Sequence, residues 1–280
     1  MDYKLCLVTG ASSGLGRAVA TRLAGMGAHV VMVSRDNARG EAAKKDIVSQ
    51  SKNQSVDLML ADLSSLSSVR GLASEFKAKY PRLDVLINNA AVYRGTRAVT
   101  AEGLETMFAT NYLGPFLLTR LLIPQLEEAR PSRIINVTAP STTRPNLDDL
   151  QGEGKFGSLK AFGASKAADL LFTYELARML KGRGVTVNAY HPGLVKTGLM
   201  REAPPMVRLV SGVMNLLAGS TPDGASEGLA QLATSAQFAD TSGQLVHGMK
   251  VIKAPLIEDV ELQERLWKVS CRLTGVQEGI

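Results

Sequence analysis

Thr9-Gly10-Ala11-Ser12-Ser13-Gly14-Leu15-Gly16 follows the apolar run Leu5-Cys6-Leu7-Val8 and precedes a helical pattern from Arg17 to Gly25. A strand, a turn with three glycines and then a helix is the opening of a dinucleotide-binding βαβ unit. One glycine permits the sharp turn out of the strand. Another lets the backbone approach a pyrophosphate, and the third lets the helix pack closely on the sheet. The free N–H groups and partial positive charge of the helix start then face the phosphates. An isolated glycine-rich turn would lack the flanking strand and helix; here both are present.

Outward from this loop, strand-like apolar runs alternate with helix-period segments. Strands are predicted at Leu5–Val8, His29–Ser34, Val56–Leu60, Val85–Asn88, Arg133–Val137, Thr186–Tyr190 and Gln244–Val246. Helices are predicted at Leu15–Gly25, Ala38–Ser51, Leu66–Lys79, Leu104–Leu126, Ala164–Lys181, Thr221–Ala236 and Glu258–Thr274. Such alternation implies an α/β fold: one doubly wound Rossmann domain over residues 1–280, with a seven-stranded parallel sheet flanked by helices. Two irregular stretches, Ala139–Leu159 and Leu194–Ser220, follow strand ends at the carboxyl edge, where open α/β sheets bind ligands. The second is expected to act as a substrate lid (residues 194–220). Its apolar run Pro204–Leu217 suits a lipophilic carbonyl or alcohol, or equally an oligomer contact or core helix.

Composition narrows the class. With 280 residues, 45% hydrophobic and 21% charged, the chain can build a sizeable core. The net charge of +6 is spread among interleaved acidic residues, with no basic run punctuated by aromatics, so nucleic acid is not an expected partner. The two cysteines, Cys6 and Cys271, have no ligand spacing and suggest a reduced, cytoplasmic protein without a metal. Met1-Asp2-Tyr3-Lys4 leads straight into the first strand, and the longest apolar segments are interrupted, so no signal peptide or integral membrane segment is expected.

The end of the second strand reads the nucleotide. An NAD-binding chain places a carboxylate there for the ribose hydroxyls. Here Ser34 takes that place, with Arg35 beside it to meet a 2′-phosphate, and Arg17 adds positive charge nearby. Asp36 comes one or two positions late. Asp62, after the third strand, is placed for the adenine amino group. NADP(H) is therefore expected in preference to NAD(H).

Thr9–Gly16, Asp62-Leu63, Asn88-Asn89-Ala90-Ala91, Asn111, Arg133–Val137, Ser165-Lys166 and His191-Pro192-Gly193 together make the chain resemble the short-chain dehydrogenase/reductase family over essentially its whole length. Leu170–Leu180, Gly184–Gly193 and Glu264–Cys271 resemble its retinol-dehydrogenase-like branch. The resemblance implies a cofactor held by Gly10, Ser12, Ser13, Gly14, Leu15, Gly16, Ser34, Arg35, Asp62, Leu63, Asn89, Ala90, Lys166, Pro192, Gly193, Val195 and Thr197. It also implies a small-molecule substrate, and pairing through the long helices into a homodimer or homotetramer. In the family a tyrosine exchanges a proton with the substrate oxygen. A lysine four residues later binds the nicotinamide ribose and lowers the tyrosine pKa. A serine polarises the carbonyl, and an asparagine orders a relay water. By position, the lysine is Lys166 and the asparagine Asn111.

The tyrosine position holds Phe162 and the serine position Ala139. Neither carries an exchangeable proton, and losing a positioned general acid removes about 10²- to 10⁴-fold in rate. Substitutes exist in sequence: Ser141, Thr138, Tyr93, Tyr190 and His191. Each of them also has a plain structural use, as do Asn111 at a helix kink and Lys166 as a ribose ligand. Three accounts fit: an NADP(H)-dependent oxidoreductase with an inactivated site, a non-redox enzyme on the same scaffold (cyclase, isomerase or dehydratase), and a non-catalytic cofactor-binding protein.

Overall fold

The computed structural model describes residues 4–195, 199, 203 and 220–280. Strands β1 (Leu5–Thr9), β2 (His29–Ser34), β3 (Val56–Leu60), β4 (Val85–Asn88), β5 (Ser132–Val137), β6 (Val185–His191), β7 (Leu245–His247) and β8 (Lys250–Ile252) form one sheet in the order β3-β2-β1-β4-β5-β6-β7-β8. Every pairing is parallel except β7 with β8. The sheet thus has eight strands where seven were expected. A two-residue loop, with Gly248 at φ 57°, turns the chain back on itself after β7. Only a residue free of a Cβ adopts that conformation cheaply.

Alternate residues of β1 explain the layering. Leu5 and Leu7 enter one buried cluster and Cys6 and Val8 the other, so both faces of the sheet are dry. One face is covered by α1 (Gly14–Gly25), α2 (Asn37–Ser51) and α6 (Pro222–Thr234). The opposite face carries α3 (Leu66–Lys79), α4, α5 (Ser158–Met179) and α7 (Val260–Thr274). Helix α4 spans residues 106–128 and runs through a π-helical turn, Ala109–Leu113, that contains Asn111. Helix α5 begins well before the expected Ala164, which places Phe162 in its second turn.

Helices α4 and α5 are buried nearly all round within this one chain. On α5, every residue from Ser165 to Leu176 is buried. Phe116 of α4 and Phe172 of α5 pack on Trp267 of α7 with ring centroids 5.2 and 6.2 Å away. Helix α7 thus covers part of the two long helices through which pairing of copies was expected. Among the described residues, no helix is long and apolar enough to cross a membrane. The expected lid falls almost wholly outside the described residues, as does Thr197.

Candidate active site

Loops after β1 to β6 meet at the carboxyl edge of the sheet, and β1 and β4, from which the crossovers diverge, are neighbours there. The glycine loop leaves β1 with Gly10 at φ 66° and Gly14 at φ 55°. Gly16 is needed for space: a methyl group there would lie 2.4 Å from both Asn89 Nδ2 and the Gly10 carbonyl oxygen. Asn89 locks the loop, since its Nδ2 donates to the Thr9 carbonyl at 2.9 Å. Thr9 Oγ1 accepts from Asn89 N and Ala90 N at 2.9 and 3.1 Å. Thr9 was read only as the start of the motif; its hydroxyl fastens the end of β4 to β1.

No side chain caps α1 at Ser13 or α5 at Gly157, whereas Asp36, Ser65, Thr221 and Asp259 cap α2, α3, α6 and α7. The first-turn N–H groups of α1 are thus open to an anion. Ser12 is half-buried and Leu15 buried beneath them. At the end of β2, Ser34 is buried and its hydroxyl donates to the Asp36 carbonyl at 2.9 Å. Asp36 is an N-cap, accepting from Arg39 N at 2.8 Å. Arg35 is exposed and has no ionic partner among the described residues. Arg17 differs from the expectation, because its guanidinium is paired with Asp46 at 3.0 Å. Asp62 Oδ1 accepts from the Ser64 amide and hydroxyl, which fixes that carboxylate at the end of β3. Leu63 packs its carbonyl against Gly114, where a methyl group would approach within 2.3 Å.

The β5–α5–β6 end is built differently. Phe162 packs against Tyr93 with ring centroids 5.6 Å apart. The Tyr93 hydroxyl bonds Ser158 at 2.8 Å, one turn before Phe162, whereas Lys166 lies one turn after it. Eight residues of helix separate those partners by about 12 Å, so Tyr93 does not stand in for a phenol beside Lys166. Ser141 Oγ donates to the Gly163 carbonyl at 2.7 Å and accepts from Thr143 N at 3.2 Å. Thr138 Oγ1 donates to the Lys166 carbonyl at 2.9 Å. The Tyr190 hydroxyl turns to the other side of the sheet and donates to the Ala225 carbonyl at 3.0 Å. Ala139 is half-buried after β5.

Asn111 is spent on the loop after β4. Its Oδ1 accepts from Val92 N at 2.8 Å, and its Nδ2 donates to the Val92 carbonyl and to Ser165 Oγ at 3.0 and 3.1 Å. Lys166 Nζ donates to the Val137 carbonyl at 3.2 Å and to Asp169 Oδ2 at 3.0 Å. The carboxylate was not singled out from sequence, although it interrupts the apolar stretch Ala167-Ala168-Asp169-Leu170-Leu171. His191 ends β6 with its Nδ1 buried and without a hydrogen-bond partner among the described residues. Burial and the neighbouring His247 both lower its pKa, opposed by a hydrogen bond with the Thr138 backbone. His247 Nδ1 donates to the His191 carbonyl at 2.8 Å, and its ring packs on Gly193 (φ 75°), bracing the turn that follows Pro192. Val195 bridges to Ser220.

A family description, short chain dehydrogenase, matches residues 4–208. Human retinol dehydrogenase 13 is 39% identical over 282 residues, spanning 98% of this chain and 85% of the relative. Mouse retinol dehydrogenase 12 is 38% identical, spanning 98% and 87%. Among solved structures, a Mycobacterium paratuberculosis protein superimposes with a TM-score of 0.79 at 31% identity, covering 99% of this chain and 95% of that one. Pseudomonas aeruginosa RhlG, solved as an NADP active-site complex, gives 0.71 at 26% identity, with 87% and 94% covered.

Proposed function

The chain belongs to the short chain dehydrogenase family of oxidoreductases, and from that premise we propose that it binds NADP(H), in preference to NAD(H), beside a pocket for a lipophilic alcohol or carbonyl whose proton-transfer pair is replaced by Phe162 and Ala139. The residues fit the nucleotide. Gly10 and Gly16 let the loop close against Asn89 and Ala90, Gly14 takes a positive φ of 55°, and the start of α1 beside them carries no capping side chain. Arg35, without an ionic partner among the described residues, is the cation at the end of β2, where a 2′-phosphate would lie. The names of the relatives, retinol dehydrogenases, support a lipophilic substrate. A bound nicotinamide supplies or accepts a hydride. This chain's residues supply orientation, through Asn89, Lys166 and the turn after β6.

One observation carries the reading of the reaction end. Each hydroxyl that sequence offered as a substitute (Thr138, Ser141, Tyr93 and Tyr190) is committed to a carbonyl or another side chain, and the remaining position is a hydrocarbon ring. The same observation favours a second reading, a cofactor-binding protein without turnover. Fluorescence titration with NADPH and NADH tests the cofactor, and loss of reduced-nicotinamide absorbance with retinaldehyde and aliphatic aldehydes tests the chemistry. NADPH is expected to bind more tightly than NADH. Turnover is expected to rise about 10²- to 10⁴-fold in an A139S/F162Y variant. A parent chain as fast as that variant would overturn the reading of the site, and absence of NADPH binding would overturn the cofactor.

A further inference from the structure

Lys166 and Asp169 are 5% and 4% exposed, and their charged atoms lie 3.0 Å apart at the end of β5. Thr138 and Thr173 hold the backbone on either side: Thr138 Oγ1 donates to the Lys166 carbonyl, and Thr173 Oγ1 to the Asp169 carbonyl. Spacings of four and three along α5 put Phe162, Lys166 and Asp169 on one face, with Lys166 in the middle. Burial pushes the Asp169 carboxyl up to about 6, opposed by the ammonium beside it. Among the described residues, the other titratable groups near this line are Tyr112 of α4, whose hydroxyl is bonded to Ser270, Tyr93 against Phe162, and His191 next to Thr138.

A lone ammonium within about 4–6 Å lowers the pKa of an acid by 1–3 units. An ammonium with a carboxylate at contact presents a dipole instead, whose field fades over the length of one helical turn. Buried pairs of this kind are also poor sources of net stability, because both ions lose their hydration. Stability therefore does not explain a charged residue in an otherwise apolar run.

We propose that Asp169 is a positioning residue that cancels the charge of Lys166, leaving it a hydrogen-bond donor at the end of β5 that does not acidify a proton donor at position 162. This rests on the reading of Phe162 and Lys166 given above. The site then departs from a proton-transferring one at three positions, Phe162, Ala139 and Asp169, and all three changes act on the proton while sparing the nucleotide end.

Phenolate absorbance tests it without any nucleotide, so the result stands apart from whether NADPH binds. The phenol introduced by F162Y is titrated as a difference against the parent chain. With Asp169 in place it is expected to ionise near or above the ordinary value of about 10. Adding Asp169→Asn is expected to lower that value by roughly one unit or more, and Asp169→Glu, which keeps the charge, to leave it high. A phenol already acidified in F162Y, or unmoved by Asp169→Asn, would overturn the proposal. Should Asp169→Asn fail to fold, removing both charges together (Lys166→Met with Asp169→Leu) in the F162Y background decides. An unchanged phenol supports charge cancellation, and a rise of about one unit or more refutes it.

Discussion

At the β1–β3 end of the cleft a helix start and one cation stand open, whereas at the β5–β6 end the hydroxyls of Thr138 and Ser141 and the Lys166 ammonium are tied up. Helix α1 starts without a capping side chain and Arg35 has no ionic partner among the described residues, while Thr9 and Asn89 spend their bonds on holding the loop in shape. At the other end Thr138, Ser141, Asn111 and Lys166 all find partners within the chain. Donors without partners are costly unless water or a ligand serves them, so open groups on a rigid frame mark where an anion is to be received. Groups that satisfy one another form scaffold. One half of the cleft is built to receive, and the other is built to hold still.

The hardest test of that rigidity is Trp267→Ala. The indole packs on Phe116 and Phe172, lies 4.7 Å under the Arg120 guanidinium and donates to the Glu278 carbonyl at 2.9 Å. Removing it should cost about 3–5 kcal/mol in urea unfolding. NADPH affinity should stay unchanged, because the support removed lies behind α5 and not under the glycine loop. With α7 covering α4 and α5, light scattering should report a monomer for the parent chain. A stable dimer would show that copies meet elsewhere.

At the receiving end, Gly16→Ala drives a methyl group into the Gly10 carbonyl oxygen. The loop must shift, and NADPH affinity should fall about 100-fold, near 2.7 kcal/mol. An affinity within a few-fold of the parent would mean that the loop does not receive the phosphates. Arg35→Ser is gentler and more selective. A single charge-assisted contact is worth about 1.5–3 kcal/mol, so NADPH should weaken at least tenfold while NADH hardly moves. Equal losses for both nucleotides would show that Arg35 has some other task.

The contrast between the halves also explains how much the sequence revealed. The receiving end is written in local chemistry: three glycines at fixed spacing, a serine and arginine after β2, an aspartate after β3. Each of these has its meaning within a few residues. The scaffold end depends on partners far along the chain. Asp169 is visible as a charge in an apolar helix, but its contact with Lys166 at the end of β5 is not. The early start of α5 was hidden by Gly157 and Gly163. The second of these is small because Thr143 Oγ1 would lie 2.8 Å from a methyl group there. The covering of α4 and α5 was hidden because both read as apolar helices, and only the folded chain shows α7 lying on them. Strand β8, at three residues, is too short to show a period.

The smallest expected effect concerns the foot of the receiving half. Asp57 on β3 accepts from Tyr80 Oη at 2.5 Å, His29 Nε2 at 2.8 Å and Lys79 Nζ at 3.2 Å, at the opposite end of the sheet from the glycine loop. Partial burial works against the carboxylate, yet these three donors together hold its pKa down to about 2 from 3.8. A carboxyl group depressed on folding contributes stability that is fully present above its unfolded pKa and lost as pH falls through its folded one. The window therefore runs from about pH 4 down to about pH 2, with a contribution at neutral pH of about 1 kcal/mol once solvent screening is allowed for. Asp57→Asn should lower urea stability by that amount at neutral pH and flatten its dependence across the window, with NADPH affinity unmoved. A drop in nucleotide affinity would show that the two ends of β2 and β3 are coupled, so that the receiving half is less rigid than its loop geometry implies.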